Sequence, residues 1–521
     1  MKRHDGTDGF GEPGRSSCDW GRGWWSWSIG LVTRCWRGIR QAVRQFRRPV
    51  AGERQDTGHV EAERESDGAV ALVGDGIAGR GHLRRLVAHG RKVFGLGVWL
   101  GRVTDSRRAP QTSPRLIAAT VFYTGLLRIR SFNALEPRLG EKPFLGLVGA
   151  RLDRERLCSV DTVGRSLSRM DLSSVRAVAV AMLAKAERNK VFREGWHGAL
   201  RYVAIDGWEP FCSRHRHCPE CLVRRVKVKA KDGTPIGVES EYYHRYAVAL
   251  LIDERFDLVV DIEPLLPKDL RPLTVKGKGP TAQLVKASLD EGEQTAATRL
   301  LKRVHETFGW IDVVVTDALY ANGPFLTTVE SLGMGAVVVA RKETDEPLRE
   351  ALHQWADQAP HKVIENPKAR ERVALWDCRD LETLMSYQGK IRCVRGSVTR
   401  LNRPEEDPST WCMLVTGPAT RLAPEKVLAV ARARWHIENT AFHQWTTRWA
   451  LAHVFRHHPD ALRSLFWLFF AAYNLLTLFQ YLHLRSYGRD CGKDVTRTLS
   501  RLVDLMLDEL ACSQGLVWDS S

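Results

Sequence analysis

The chain has 521 residues, enough for two to four domains with proper cores, and its 78 Lys+Arg against 61 Asp+Glu leave a formal charge of +17. That surplus points to a polyanionic partner, nucleic acid first and an anionic membrane surface second, and it does not speak to fold. The 11 cysteines are odd in number and clustered only at 212–221, which argues against a secreted disulfide framework and fits a reducing cytoplasm.

Residues 1–110 are rich in Arg, Gly and Trp and show no sustained apolar period. They read as a flexible basic extension. The patch WGRGWWSWSIGLV is interrupted by charges and glycines and does not read as a signal peptide. Residues 111–198 turn helical. SPRLIAATVFYTGLLRIRSFNALEPRL opens on Ser-Pro with helical spacing. SVDTVGRSLSRMDLSSVRAVAVAMLAKAERNK gives two further helices, with Asp171 or Ser173 capping the second.

Strands dominate the start of 199–344. RYVAID is short and apolar and ends in Asp206. YYHRYAVALLID and FDLVVDIEPL flank the turn DER as a hairpin. EQTAATRLLKRVHETFG predicts a helix closed by Gly309. WIDVVVTD is a buried strand ending in Asp317, NGPFLTTVESLG a helix with proline in its first turn, and MGAVVVARK another strand. The order β-β-β-α-β-α-β describes an α/β fold, a mixed sheet with helical crossovers.

Residues 345–422, with RVALWDC, KIRCVRGSV and WCMLVTG, read as an antiparallel β-rich insertion. Pro424 then opens a long helix that carries Glu438, 423–485 continue helical, and 486–521 form a tail helix. The run SLFWLFFAAYNLLTLFQYL, 464–482, is near the lower length limit for a membrane span. Asn474, Thr477 and Gln480 dilute it, and it reads as a buried core helix.

Asp206 and Asp317 each follow an apolar strand. An acid there projects at the carboxyl edge of an open α/β sheet, where such sheets place their sites. Taken singly, such an aspartate more often caps the following turn. Three acids, two on strand ends and Glu438 on a later helix, can together hold two divalent cations about 3.5–4 Å apart. Carboxylates that repel one another converge when a cation lies between them, and oxygen ligands suit Mg²⁺ first and Mn²⁺ second. Arg434, one turn before Glu438, makes an ordinary i,i+4 ion pair on a solvated helix, lies near a phosphate, or neutralises the acid cluster.

A second group lies in CSRHRHCPEC. Cys212, His217, Cys218 and Cys221 are the chosen ligands of a tetrahedral, structural Zn²⁺ site, with His244 in reserve; the alternative is a merely reactive patch. His457, His458 and Pro459 read as a capped helix start. Trp435 and Trp449 read as packing residues, and VKGKG at 275–279 as a basic loop within reach of DNA.

Four stretches carry a resemblance to a known family: YVAIDG, VVVTDALYANGPF, RWHIENTAFHQW and HVFRHHPDALRSLFWLFFAAYNLL. Over roughly 113–485 the chain resembles prokaryotic insertion-sequence transposases of the DDE type, whose catalytic domain is ribonuclease-H-like. The resemblance implies that Asp206, Asp317 and Glu438 are the first, second and third catalytic acids and the Mg²⁺ ligands. In relatives the third acid lies in a pattern of Tyr, two residues, Arg, three residues, Glu, six residues, Lys. Arg434 and Glu438 fit it, whereas Ala431 stands for Tyr and Trp445 for Lys. Gln444 and Arg448 are the candidates to replace the phosphate contacts so lost.

The resemblance further implies a cytoplasmic enzyme with no membrane partner. It would bind double-stranded DNA at its element's ends, hydrolyse phosphodiesters there and join the freed 3′ ends to target DNA, as a homodimer when on DNA. Residues 111–198 are then the candidate end-binding domain. The alternative is a catalytically decayed or repurposed transposase that only binds DNA.

Overall fold

Four apolar stretches make the centre of the sheet: YVAIDGW, YAVALLI, VVVTD and GAVVVA, all buried or nearly so. Strands that are apolar on both faces need cover on both. In the computed structural model, which describes residues 81–229, 235–272, 274–276, 283–340, 346–484 and 495–513, helices provide it. The reading of 1–80 as flexible and the tip of the VKGKG loop, 277–279, lie outside the described residues.

The strands are β1 (Tyr202–Trp208), β2 (Cys212–Ser213), β3 (Leu222–Lys229), β4 (Pro235–Tyr243), β5 (Tyr246–Ile252), β6 (Asp257–Pro264), β7 (Thr274–Lys276), β8 (Gln283–Val285), β9 (Val313–Asp317), β10 (Gly335–Ala340), β11 (Lys362–Asn366), β12 (Glu371–Leu381), β13 (Ile391–Arg400) and β14 (Ser409–Val415). One compact unit comprises 1–71 and 271–288; its described part is the antiparallel ribbon β7–β8, with Thr274 opposite Val285.

In the other unit a nine-stranded sheet runs β11-β12-β13-β14-β10-β9-β1-β5-β6. β1, β9 and β10 are parallel to one another and the remaining pairings are antiparallel. This is the expected mixed α/β sheet. The β-rich stretch after β10 continues that same sheet through the β10–β14 pairing.

The Glu293–Thr307 helix packs on β5 and β6, and the Pro459–His483 helix packs on β6 and on the helices Pro114–Leu126 and Leu172–Arg188. The latter two are capped by Ser113 and Asp171. The 459–483 helix is apolar and long enough to cross a membrane, yet most of it is buried inside the protein. Its central polar residue is accounted for. The Asn474 amide accepts a hydrogen bond from Val259 N and donates one to Val259 O, both 2.8 Å, along β6. A buried amide must find such partners.

Three expectations change. Residues 82–101, read as part of the flexible extension, form the helices His82–Lys92 and Leu96–Gly101. Leu83, Leu86, Val87, Leu96 and Leu100 are buried, and dense Arg and Gly between them hide the apolar stripe. Glu509, from the Val495–Cys512 helix, accepts from the backbone N–H groups of Leu83 at 2.8 Å and Arg84 at 3.1 Å. A carboxylate satisfies unpaired donors at a helix start.

Second, 212–243 holds a three-stranded sheet, β2-β4-β3, where only a cysteine–histidine loop was read. Its strands alternate charge, and Arg224 sits opposite Glu241, bonding it at 2.6 Å. Third, the long helix expected from Pro424 is broken: it runs Pro424–Ala433 and resumes as a π-helical segment, Ile437–Phe442, with Glu438 inside the wider turn.

Candidate active site

The parallel pairing of β1 with β9 sets Tyr202, Val203 and Ala204 opposite Val313, Val314 and Val315. The pairing stops there, and Asp206 and Asp317 each stand two residues beyond it on these neighbouring strands, near enough for the Asp317 charge to act on Asp206. Asp317 accepts from Leu319 N at 2.9 Å and so caps the short turn Ala318–Tyr320. The capping role that strand-end aspartates commonly fill is therefore present, and it engages one carboxylate oxygen.

Arg434 joins the acids of the sheet to that of the π-helical segment. Its Nη1 donates to Asp206 Oδ2 at 2.9 Å, and its Nη2 lies 2.9 Å from Glu438 Oε1. The i,i+4 ion pair exists, and the same guanidinium also neutralises Asp206. The Arg434 side chain is 2% exposed, against 17% for Asp206 and 45% for Glu438. The arginine is a buried clamp between a mostly buried acid and a half-exposed one. Behind it, His436 Nδ1 lies 3.1 Å from Asp257 Oδ1 at the start of β6, and that hydrogen bond raises the imidazole pKa.

A fourth acid was not singled out in the sequence. Glu293, at the start of its helix, takes hydrogen bonds from Arg245 at 2.6 Å and the Tyr320 hydroxyl at 3.0 Å. A Cβ at Gly207 would fall 2.0 Å from its Oε2, so a glycine directly after Asp206 is what lets this carboxylate approach. Only burial marks Glu293 as special, and no local pattern announces it. Burial pushes the Asp206 carboxyl up to about 7 against the pull of Arg434, and the negative charges of Glu293 and Asp317 add to the rise. A cavity of about 480 Å³ reaches this cluster, lined among others by Asp317, Arg434, Arg395, Trp411 and Trp435. Trp435 is 45% exposed there, which differs from the packing role expected of it.

Trp445, at the position where relatives carry lysine, is fully buried against Trp208, Phe442 and Phe470. Ala431 and Gln444 are buried too, and Arg448 is exposed. Of the two substitutes named for phosphate contacts, only Arg448 faces outward.

The cysteine–histidine residues divide. Cys218 and Cys221 converge with His244 and with His457, their ligating atoms all within 4.8 Å of one another. Cys212 is exposed at the start of β2, paired with Tyr243, and His217 stacks on Tyr242 at 4.9 Å between centroids. Neither joins the cluster, because the β2–β4 pairing turns them away from the Cys218–Cys221 turn. His457, read as part of a helix start, is the partner that sequence spacing missed; 236 residues separate it from Cys221.

Compared with known families, residues 275–475 match the family model described as a transposase DDE domain. The matched span holds Asp317, Arg434 and Glu438, and Asp206 precedes it. No curated protein matches the chain.

Proposed function

We propose, from the match of residues 275–475 to a transposase DDE domain, that the chain is a DNA transposase that cuts and joins phosphodiester bonds at the ends of an insertion sequence by a two-metal-ion mechanism. Asp206, Asp317 and Glu438 are its catalytic acids. The observation that carries this reading is the single Arg434 guanidinium bridging Asp206 and Glu438, with Asp317 at the end of the strand that neighbours β1.

The acids suit divalent cations. One arginine compensates an acid cluster in which burial, with the charges of Glu293 and Asp317 adding, already pushes Asp206 up to about 7, and oxygen-only donors favour Mg²⁺, with Mn²⁺ second. Bound there, the ions supply an activated water or 3′-hydroxyl and stabilise the leaving 3′ oxygen. Asp206, Asp317 and Glu438 hold them. Arg434 keeps Asp206 and Glu438 in one orientation, and the Asp257–His436 hydrogen bond fixes the chain entering the π-helical segment. Arg395 and Trp435 on the cavity wall receive the DNA backbone and an unstacked end base. The net charge of +17 supports double-stranded DNA as partner, the free cysteines support a cytoplasmic setting, and cutting two ends together calls for a homodimer on DNA.

The second reading, a decayed transposase that only binds DNA, is favoured by the burial of Trp445 and Ala431 where relatives contact phosphate. A plasmid carrying the gene with its flanking DNA separates the two. Incubation with Mg²⁺ should release 3′-hydroxyl ends at the element boundary, and Asp317→Ala should abolish them while leaving gel-shift binding intact. Binding without any cleavage by the natural chain in Mg²⁺ or Mn²⁺ would reject the enzymatic reading.

A further inference from the structure

The four residues Cys218, Cys221, His244 and His457 come from three places in the chain. Cys218 and Cys221 flank the turn that leads into β3, closed by Cys221 N–H donating to Cys218 O at 3.1 Å. His244 sits in the short link between β4 and β5, and His457 stands two residues before the Pro459–His483 helix. Cys221 Sγ lies 3.7 Å from Cys218 Sγ, 3.4 Å from His244 Nε2 and 3.3 Å from His457 Nε2. Cys218 Sγ lies 3.3 Å from His244 Nε2. Cys221 and His244 are 6% and 5% exposed.

These distances have a simple origin in coordination geometry. With Zn–S near 2.3 Å and Zn–N near 2.0–2.1 Å, the edges of a tetrahedron are about 3.8 Å between sulfurs and about 3.5 Å between sulfur and nitrogen. The measured edges match to within about 0.3 Å. Hydrogen bonding alone would require Cys221 Sγ to donate to one of three close partners while accepting from the other two and from a backbone N–H. A disulfide does not explain these edges, because bonded sulfurs lie about 2.05 Å apart. In addition, Cys218 N–H donates to Cys221 Sγ at 3.3 Å, a contact that favours a thiolate over a thiol.

We propose that Cys218, Cys221, His244 and His457 bind one Zn²⁺ in a closed, structural Cys₂His₂ site. Thiolate and imidazole ligands select zinc over Mg²⁺, so this centre is chemically distinct from the carboxylate cluster. With four protein ligands no position remains open for a substrate or water. The ion ties the segment that follows β1, the strand of Asp206, to the segment that follows Glu438. It is thereby a clamp across the parts of the chain that supply two of the three acids, Asp206 and Glu438, and it does not depend on whether those acids cut DNA.

The test uses the full-length chain expressed with zinc and purified under reducing conditions. Elemental analysis should return about one zinc per chain, and Co²⁺ exchange should give the intense ligand-field absorption of a tetrahedral thiolate centre. Cys221→Ser and His457→Ala should lose the metal and the cobalt spectrum. Cys212→Ser and His217→Ala should keep both. His457→Cys, which preserves a ligand, should retain zinc and so separates loss of a ligand from loss of folding. Absence of zinc and of cobalt absorption in the natural chain, retention of full zinc by His457→Ala, loss of it from Cys212→Ser, or an intact mass two hydrogens short from a Cys218–Cys221 disulfide would each overturn the proposal.

Discussion

Arg434→Met removes the one guanidinium among the described residues that bonds both Asp206 and Glu438. Breaking a buried ion pair from one side costs about 3–5 kcal/mol, because the remaining charge is left without compensation. Asp206, 17% exposed, carries nearly all of that, while Glu438, 45% exposed, adds at most about 1 kcal/mol. The expected loss is at the low end, about 3 kcal/mol, because Asp206 can take up a proton instead. Its carboxyl already stands at about 7 in the fold and rises further without the arginine, whereas the unfolded value is about 3.9. Between those two values the folded chain holds a proton that the unfolded chain lacks, so stability increases as pH falls. The Arg434→Met deficit is therefore larger at pH 8 than at pH 6. Adding Asp206→Asn, which removes the stranded charge, should recover about 2 kcal/mol relative to Arg434→Met. Urea unfolding followed by circular dichroism, without added divalent cation, reads the natural chain and both variants. Equal midpoints for Arg434→Met and the natural chain at pH 8, a deficit that grows on acidification, or no recovery in the double variant would refute this account.

Three other outcomes follow from the same packing. Asp261 is fully buried and bonds Arg176 at 2.5 Å and Arg303 at 2.8 Å; Asp261→Ala should cost about 3–5 kcal/mol in urea unfolding. Trp445→Lys restores the residue type of the resembled pattern but puts a charge into an aromatic core, and should cost at least about 3–5 kcal/mol, whereas Arg448→Ala should leave stability within about 0.5 kcal/mol and weaken DNA binding in a gel shift. His89 is held at about 4 by burial, with the charge of His483 adding to the fall, and the two rings bond at 3.0 Å. The unfolded chain takes that proton first, so its contribution is complete above the ordinary value of 6.5 and is lost as pH falls toward 4. The melting temperature of His89→Gln should fall less steeply over that interval than that of the natural chain.

The central strands were legible because their residues answer to one demand, burial on both faces, and VVVTD or GAVVVA cannot satisfy it in any exposed setting. Asp317 closes β9 as that reading expected, whereas β1 runs two residues past Asp206 to Trp208, paired there with β5. The Arg434–Glu438 pair was legible as an i,i+4 spacing. What Arg434 reaches across the fold was not, since the bond to Asp206 spans 228 residues. The π-helical winding around Glu438 has no local signature, as IENTAF would suit an ordinary helix. His457 was invisible as a partner of Cys221 for the same reason that Glu293 was invisible beside Asp206: each is brought to its site by tertiary packing. The helices at 82–101 escaped notice because Arg and Gly interrupt their stripe, and they are held by Glu509, which lies more than 400 positions away.

Unpaired strand edges recruit strands from other molecules. At one end of the nine-stranded sheet, the Asn474 amide occupies both backbone groups of Val259 in the middle of β6, so an incoming chain cannot pair there. At the other end, β11 is five residues long, largely exposed, and begins at Lys362, which pairs with Glu425. A large apolar sheet is thus protected at both edges from templating its own aggregation.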